Sequence, residues 1–173
     1  MDKITIKTEL ERTAKLVEST AQSIPEAQWG AAPGPDRWSA AQILEHIIIT
    51  EGLVVKVLPR KGRPCNDREP DARVANIRDI FNNDGLKLTA YGPIVPGPEP
   101  RAMSEQLAIF NQQRQEMLKI TDHHDLTEKV RLVKHPKFGE LTRGEWLWFY
   151  ILHSERHARQ MQRLLSELNP GDC

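Results

Sequence analysis

Apolar residues recur at three- and four-residue intervals in four stretches of the chain, the period of helices that each bury one face. The first stretch runs from about Thr5 to Ser23, with Ile6, Leu10, Ala14, Val17, Ala21 and Ile24 in register, and Pro25 ends it. Pro25 to Trp38 holds three prolines, two glycines and two tryptophans. It reads as a loop anchored by Trp29 and Trp38. Ser39-Ala40-Ala41-Gln42 then forms a capping box, in which the serine oxygen and the glutamine side chain satisfy orphan backbone N–H groups at a helix start. Ile43, Ile47, Val54 and Leu58 give this second helix its core face, and Pro59 is its expected stop.

Between residues 59 and 100 the periodicity fades, and seven of the chain's twelve prolines fall here. A short helix around Val74 to Phe81 is expected within an otherwise irregular connection. A connection this long is either a lid or binding loop, or a surface excursion over a helix end. The third long helix spans about Ser104 to Ile120, with Leu107, Phe110, Met117 and Leu118 inward, and Asp122-His123-His124-Asp125 closes it. Val130, Leu132, Phe138 and Leu141 follow in an extended, proline-broken segment. Thr142-Arg143-Gly144-Glu145 is a second capping box, opening a fourth helix that runs to about Leu168 before the breakers Asn169-Pro170-Gly171. Four long helices without a convincing sheet predict an all-α four-helix bundle, with a long Pro-rich connection between helices two and three.

The length of 173 residues suits one domain over 1–173, large enough to fold without disulfides. Lysine plus arginine number 24 and aspartate plus glutamate 24, so the formal charge is 24 − 24 = 0. That balance gives no footing for a general nucleic-acid binder or a polybasic membrane-surface protein. The longest apolar run, Trp146 to Leu152, has seven residues, against about 20 for a membrane span. The N-terminal residues lack the pattern of a secretory signal. Cys65 and Cys173 are too scattered for a disulfide framework or a metal knuckle. A cytoplasmic protein with two incidental thiols is expected.

The sharpest chemical signal lies on the fourth helix. Its inward stripe reads Trp146, Tyr150, His153, His157, Met161, Leu164, Leu168. Two histidines at i and i+4 share one face, so their imidazoles can converge on one metal ion. On the second helix, Ser39, Ile43, His46, Thr50, Leu53 and Val57 form a stripe that carries one more histidine. Together the three would make a three-His site with coordination positions left open, as catalytic rather than structural sites have. The structural alternative is a set of hydrogen-bonded core histidines, each of which must find partners for its ring nitrogens. Glu155 follows His153 by two residues, turned about 200° around the helix from it. The zincin signatures are therefore not met, and Glu155 is expected at the surface, paired with Arg159. His123 and His124 suit a helix C-terminus. His135, before Pro136, reads as a surface or capping residue, with a fourth-ligand role as the alternative.

Three segments in order resemble the DinB/YfiT-like superfamily. They are Arg37-Trp38-Ser39-Ala40-Ala41-Gln42-Ile43-Leu44-Glu45-His46, the run His135-Pro136-Lys137-Phe138-Gly139-Glu140-Leu141-Thr142 with Glu145-Trp146-Leu147, and the pair His153 and His157. The resemblance implies an up-down-down-up bundle, often dimeric, with a divalent metal at His46, His153 and His157. It also implies metal-dependent hydrolysis or S-transfer of a low-molecular-weight thiol. Imidazole ligands suit Zn, Ni or Fe. Tyr150, Thr50 and Trp146 are candidate pocket residues, with core packing as the alternative for each. The expected partners are a small-molecule substrate and a second copy of the chain, with no nucleic acid and no membrane. The competing reading is a non-catalytic metal-binding or dimeric interaction protein, for instance in a stress response.

Overall fold

The computed structural model describes residues 1–168, so Asn169-Pro170-Gly171 and Cys173 lie outside the described residues. Among the described residues five α-helices form: α1 Lys3–Gln22, α2 Ala40–Val55, α3 Val74–Asn82, α4 Met103–His123 and α5 Arg143–Leu168. Strands β1 Gly62–Arg63 and β2 Lys129–Val130 pair antiparallel, Gly62 opposite Val130, and clip the two long connections together. None of these helices is long and apolar enough to cross a membrane.

Each terminus has a local cause. The Asp2 carboxylate accepts the Ile4 and Thr5 N–H groups at 3.0 Å each, so α1 starts earlier than its apolar stripe suggests. Both capping boxes form: Ser39 with Gln42, and Thr142 with Glu145. Helix α2 stops at Val55, short of Pro59, and turns carry the chain onward. The Leu58 and Arg60 carbonyls are instead taken by the buried Arg143 guanidinium, each at 2.7 Å. Helix α4 runs past Ile120 to His123, with His124 as its C-cap. In the 130–141 segment Val130, Phe138 and Leu141 are buried, whereas Leu132 is exposed.

Contacts fix the helix directions. Arg12 pairs with Glu155 at 3.1 Å and Thr20 meets Gln162 at 3.5 Å, so α1 and α5 run parallel. The Gln106 amide donates to the Ala41 carbonyl and that of Gln113 to Ile48, so α2 and α4 also run parallel. Lys7 pairs with Asp122 while Thr13 meets Arg114, which makes α1 and α4 antiparallel. Tyr150 donates to the Thr50 carbonyl while His153 meets His46, which makes α2 and α5 antiparallel. The result is the up-down-down-up bundle. Helices α1 and α2 sit on opposite corners, as do α4 and α5, and α3 packs on the outside of α5.

The core divides into two apolar clusters at different heights. One gathers Ile6, Leu10, Val54, Leu58, Met117, Ile120, Trp146 and Leu147 with α3's Ile77 and Phe81. The other gathers Val17, Ala21, Ile43, Leu44, Ile47, Phe110, Met161 and Leu164. Between them lies a polar layer with one residue from each bundle helix: Thr13, Glu51, Arg114 and Ser154, all buried. Arg114 Nη2 meets Glu51 Oε1 at 2.6 Å and its Nε meets Oε2 at 3.1 Å. Its Nη1 donates to Thr13 at 3.1 Å, and Ser154 bonds both Arg114, at 2.6 Å, and Glu51, at 2.8 Å. The guanidinium also lies 4.9 Å over the Phe110 ring.

Breaking a buried pair leaves an unpaired charge, which costs about 3–5 kcal/mol, whereas replacing both partners by apolar residues is often tolerated. Glu51→Leu is therefore expected to lose about that much unfolding free energy in urea titrations, with part recovered in Glu51→Leu/Arg114→Met. A single variant as stable as the parent would contradict this account of the core.

Candidate metal centre

Directly beside the polar layer, the three sequence-predicted histidines meet. His46 comes from α2, and His153 and His157 from successive turns of α5. His153 Nε2 lies 3.2 Å from His46 Nε2 and 3.1 Å from His157 Nε2, and one ring nitrogen from each lies within 4.8 Å of the others. All three side chains are buried. The antiparallel contact of α2 and α5 produces this meeting, because it sets His46 opposite the turn that joins His153 to His157.

The far ring nitrogens decide what the near ones can do. His46 Nδ1 lies 2.7 Å from the Ile94 carbonyl oxygen, which can only accept, so Nδ1 carries the proton. His157 Nδ1 lies 2.9 Å from Gln160 Oε1, which sets the same tautomer. Both Nε2 atoms therefore aim bare lone pairs at His153 Nε2, which carries at most one proton and can answer only one of them. His153 Nδ1 is buried without a hydrogen-bond partner among the described residues. Three lone-pair donors that cannot satisfy one another fit a cation. The two spacings through His153 fit too, since tetrahedral zinc with nitrogen ligands sets them roughly 3.3 Å apart. A ligating histidine commonly donates its other N–H to a carbonyl or similar acceptor, as His46 and His157 do.

Electrostatics keeps the rings neutral. Burial pulls His46 below the ordinary imidazole value, partly opposed by the Ile94 carbonyl. Burial and the neighbouring His46 push His157 down to about 3, partly opposed by Gln160. His153 falls well below the ordinary range, through burial first and then through His157, His46, Arg114 and Arg156. Neutral imidazole is the form that binds metal.

Aromatic rings enclose the cluster. Phe149 stacks on His153 at 5.7 Å and Phe81 meets it edge-on at 5.5 Å. Trp38, expected as a loop anchor, lies 5.0 Å from the His46 ring. Of the candidate pocket residues, Thr50 donates its hydroxyl to the His46 and Ile47 carbonyls of its own helix. Tyr150 packs edge-on to His153 at 6.1 Å and gives its hydroxyl to the Thr50 carbonyl at 2.9 Å. Trp146 lies one layer further off, stacked on Tyr150. Glu155 is salt-bridged to Arg12 at 3.1 Å and reaches Arg159 at 4.0 Å. His135 stands on the far side of Phe149, 4.9 Å from that ring. Its Nδ1 accepts the Lys137 and Phe138 N–H groups inside a tight turn. Gly139 closes the turn at φ +70°, a conformation glycine adopts without strain. Sequence reading missed Gln160 as a site group, detectable as the polar residue one turn after His157, and missed Trp38, Phe81 and Phe149 as ring neighbours, Phe81 being read only as the end of a short helix; Ile94 lies in the aperiodic stretch beyond it.

The family model for the DinB superfamily matches residues 9–161, a span that contains all three histidines. The chain belongs to the DinB superfamily. Among curated proteins it is similar to the uncharacterized protein YuaE of Bacillus subtilis, 21% identical over 136 residues, or 79% of this chain and 82% of YuaE. Two solved structures share its fold. TT2238, a four-helix bundle protein, superposes with a TM-score of 0.60 at 19% identity, over 94% of this chain and 99% of that one. YfiT from Bacillus subtilis, described as a probable metal-dependent hydrolase with an unusual four-helix bundle topology, superposes at 0.62 with 11% identity, over 96% and 87%. In this DinB-superfamily bundle the site is thus carried by α2 and α5, with the second connection, residues 56–102 between α2 and α4, reaching it from outside.

The depressed histidines give a pH signature. For His157 the folded value, about 3, lies below the ordinary 6.5, so between these limits the unfolded chain binds more protons than the folded one. Stability in the presence of a chelator should accordingly climb with pH across about 3 to 6.5 and gain nothing further from this group above it. Urea denaturation at a series of pH values should show a shallower climb for His157→Gln. Parallel profiles for the two proteins would contradict the assignment.

Proposed function

We propose that this DinB-superfamily chain binds one divalent metal ion through His46, His153 and His157 and acts on a small molecule as a metal-dependent hydrolase or thiol S-transferase. The convergence of three buried Nε2 atoms, two held in the ligating tautomer by Ile94 and Gln160, carries the proposal. YfiT, which shares the fold, is described as a probable metal-dependent hydrolase, and this supports the hydrolytic branch. When bound, the ion would polarise a substrate or lower the pKa of a water or thiol. The chain's own share is to fix three neutral rings on two packed helices and to keep bulk water from them with Trp38, Phe81 and Phe149. Zinc, nickel and iron all suit three imidazoles. The sequence holds two cysteines, and Cys65 hydrogen-bonds in its own loop to the Arg68 carbonyl, so in the transfer branch the thiol comes from a substrate.

A second reading, metal binding without turnover in a dimeric or stress-response protein, draws on one observation. The acidic residues beside the cluster are each committed to an arginine: Glu45 to Arg101, Glu51 to Arg114 and Glu155 to Arg12. No one of these three is free to serve as a general base.

Untagged protein should carry about one divalent ion per chain, measured by elemental analysis, and His153→Ala should lose it. If stripped wild-type protein takes up none of Zn, Ni, Mn or Fe, the proposal fails. With the metal established, thiol-conjugation and ester- or amide-hydrolysis screens separate the two enzymatic branches, and silence in both favours the second reading.

A further inference from the structure

The long second connection is not a neutral excursion, because it touches two of the three histidines. Phe81, at the end of α3, packs edge-on to His153, and the Ile94 carbonyl holds His46 Nδ1 at 2.7 Å. The stretch just after α3 is held by a guanidinium on the helix that also carries the histidine pair. Arg156 Nη1 donates to the Asn83 carbonyl at 2.8 Å and reaches that of Phe81 at 3.4 Å, while Nη2 donates to Leu86 at 2.5 Å. These carbonyls cluster at the C-terminal end of α3, where a helix leaves acceptors unsatisfied and its dipole favours a cation. Arg159 adds one bond to the Phe81 carbonyl at 2.9 Å. Beyond Leu86 the chain crosses to Ile94 and then runs along α2. There Gln42 takes the Gly97 carbonyl at 3.2 Å and Arg101 pairs with Glu45. The planar fork of arginine serves several carbonyls at once, a task a single ammonium does less well.

We propose that Arg156 is a positioning residue of the metal centre, fixing the second connection so that Phe81 packs on His153 and Ile94 orients His46. The inference rests on the metal reading above. Groups that orient a ligating histidine usually matter about 10–100-fold for metal affinity, although they never touch the ion. Arg156 acts one step further out, through the backbone it holds. By thermodynamic reciprocity, whatever the connection contributes to metal affinity the metal returns as order in the connection.

Zinc affinity, measured by chelator competition under conditions where circular dichroism shows each protein folded, tests this directly. Arg156→Gln should bind zinc about tenfold or more weakly than wild type. Lys7→Gln, which removes an exposed charge pair on the α1–α4 face, should match wild type. Hydrogen exchange on the wild-type protein gives a second readout that survives any folding defect of the variant. Adding zinc to the stripped protein should slow exchange of the amides between residues 83 and 97. Equal affinities for wild type and Arg156→Gln, or no slowing on zinc addition, overturns the positioning role while leaving the metal site standing. A wild-type protein that takes up no zinc overturns both.

Discussion

The buried Arg114–Glu51 pair is the constraint around which the bundle is arranged. Taking a guanidinium and a carboxylate out of water costs several kcal/mol per ion, and only close geometry with every donor answered offsets it. Here the answer requires all four bundle helices: Thr13 from α1, Glu51 from α2, Arg114 from α4 and Ser154 from α5. Sliding any helix by a turn would strand one of these groups between two apolar clusters. Apolar packing alone tolerates such slips far better, because it is non-directional. Burial pushes the Glu51 carboxyl up despite the Arg114 charge and the Ser154 hydroxyl that hold it down, so the ionised pair depends on each of these partners staying in place.

The same layer sets the height at which the histidines meet. His46 lies five residues before Glu51 on α2, and His153 immediately precedes Ser154 on α5. With Ser154 bonded to Glu51 at 2.8 Å, the turns of α2 and α5 that carry the rings must face each other. The centre is thus a by-product of helix register. Two helices carry its rings, and the tautomers are set by Gln160 on α5 itself and by Ile94 from the second connection.

How much of this was legible in the sequence follows from the kind of signal each part leaves. The bundle, both capping boxes and the histidine pair were readable because they are periodic or local, governed by residues three or four apart. The polar layer was readable only as a gap. The inward positions read for α2 jump from Ile47 to Val54, and those for α4 from Phe110 to Met117. The missing turns are filled by Glu51 and Arg114, charged residues at core positions that a hydrophobic pattern skips. The neighbouring stripe on α2, the one that carries His46, loses its cover toward the helix end, where Leu53 is half exposed. A stripe shows which face a residue takes, but not whether a neighbour still covers that face near a helix end. The turns just past α2 are held by Arg143, 85 residues from the Leu58 carbonyl it takes, and the carbonyl on His46 belongs to Ile94. A backbone acceptor has no residue-type signature, so no reading of side chains could have found it.

Charge gives the site its chemical character. Three neutral imidazoles would leave a bound divalent ion with its charge undiminished, unlike a site that includes a carboxylate ligand. The nearby acids do not compensate, because Glu45, Glu51 and Glu155 are each held by an arginine. Arg114 and Arg156 already act on His153 in the cationic sense, adding to the burial that disfavours its protonation. In surroundings that screen charge poorly, a centre of that kind would favour an anionic partner drawn from solution. The hydrolytic and thiol-transfer readings differ in which partner that is. They make the same demand on the chain: neutral rings, held in register by a buried ion pair and oriented by a backbone carbonyl, with the neighbouring acids kept from competing.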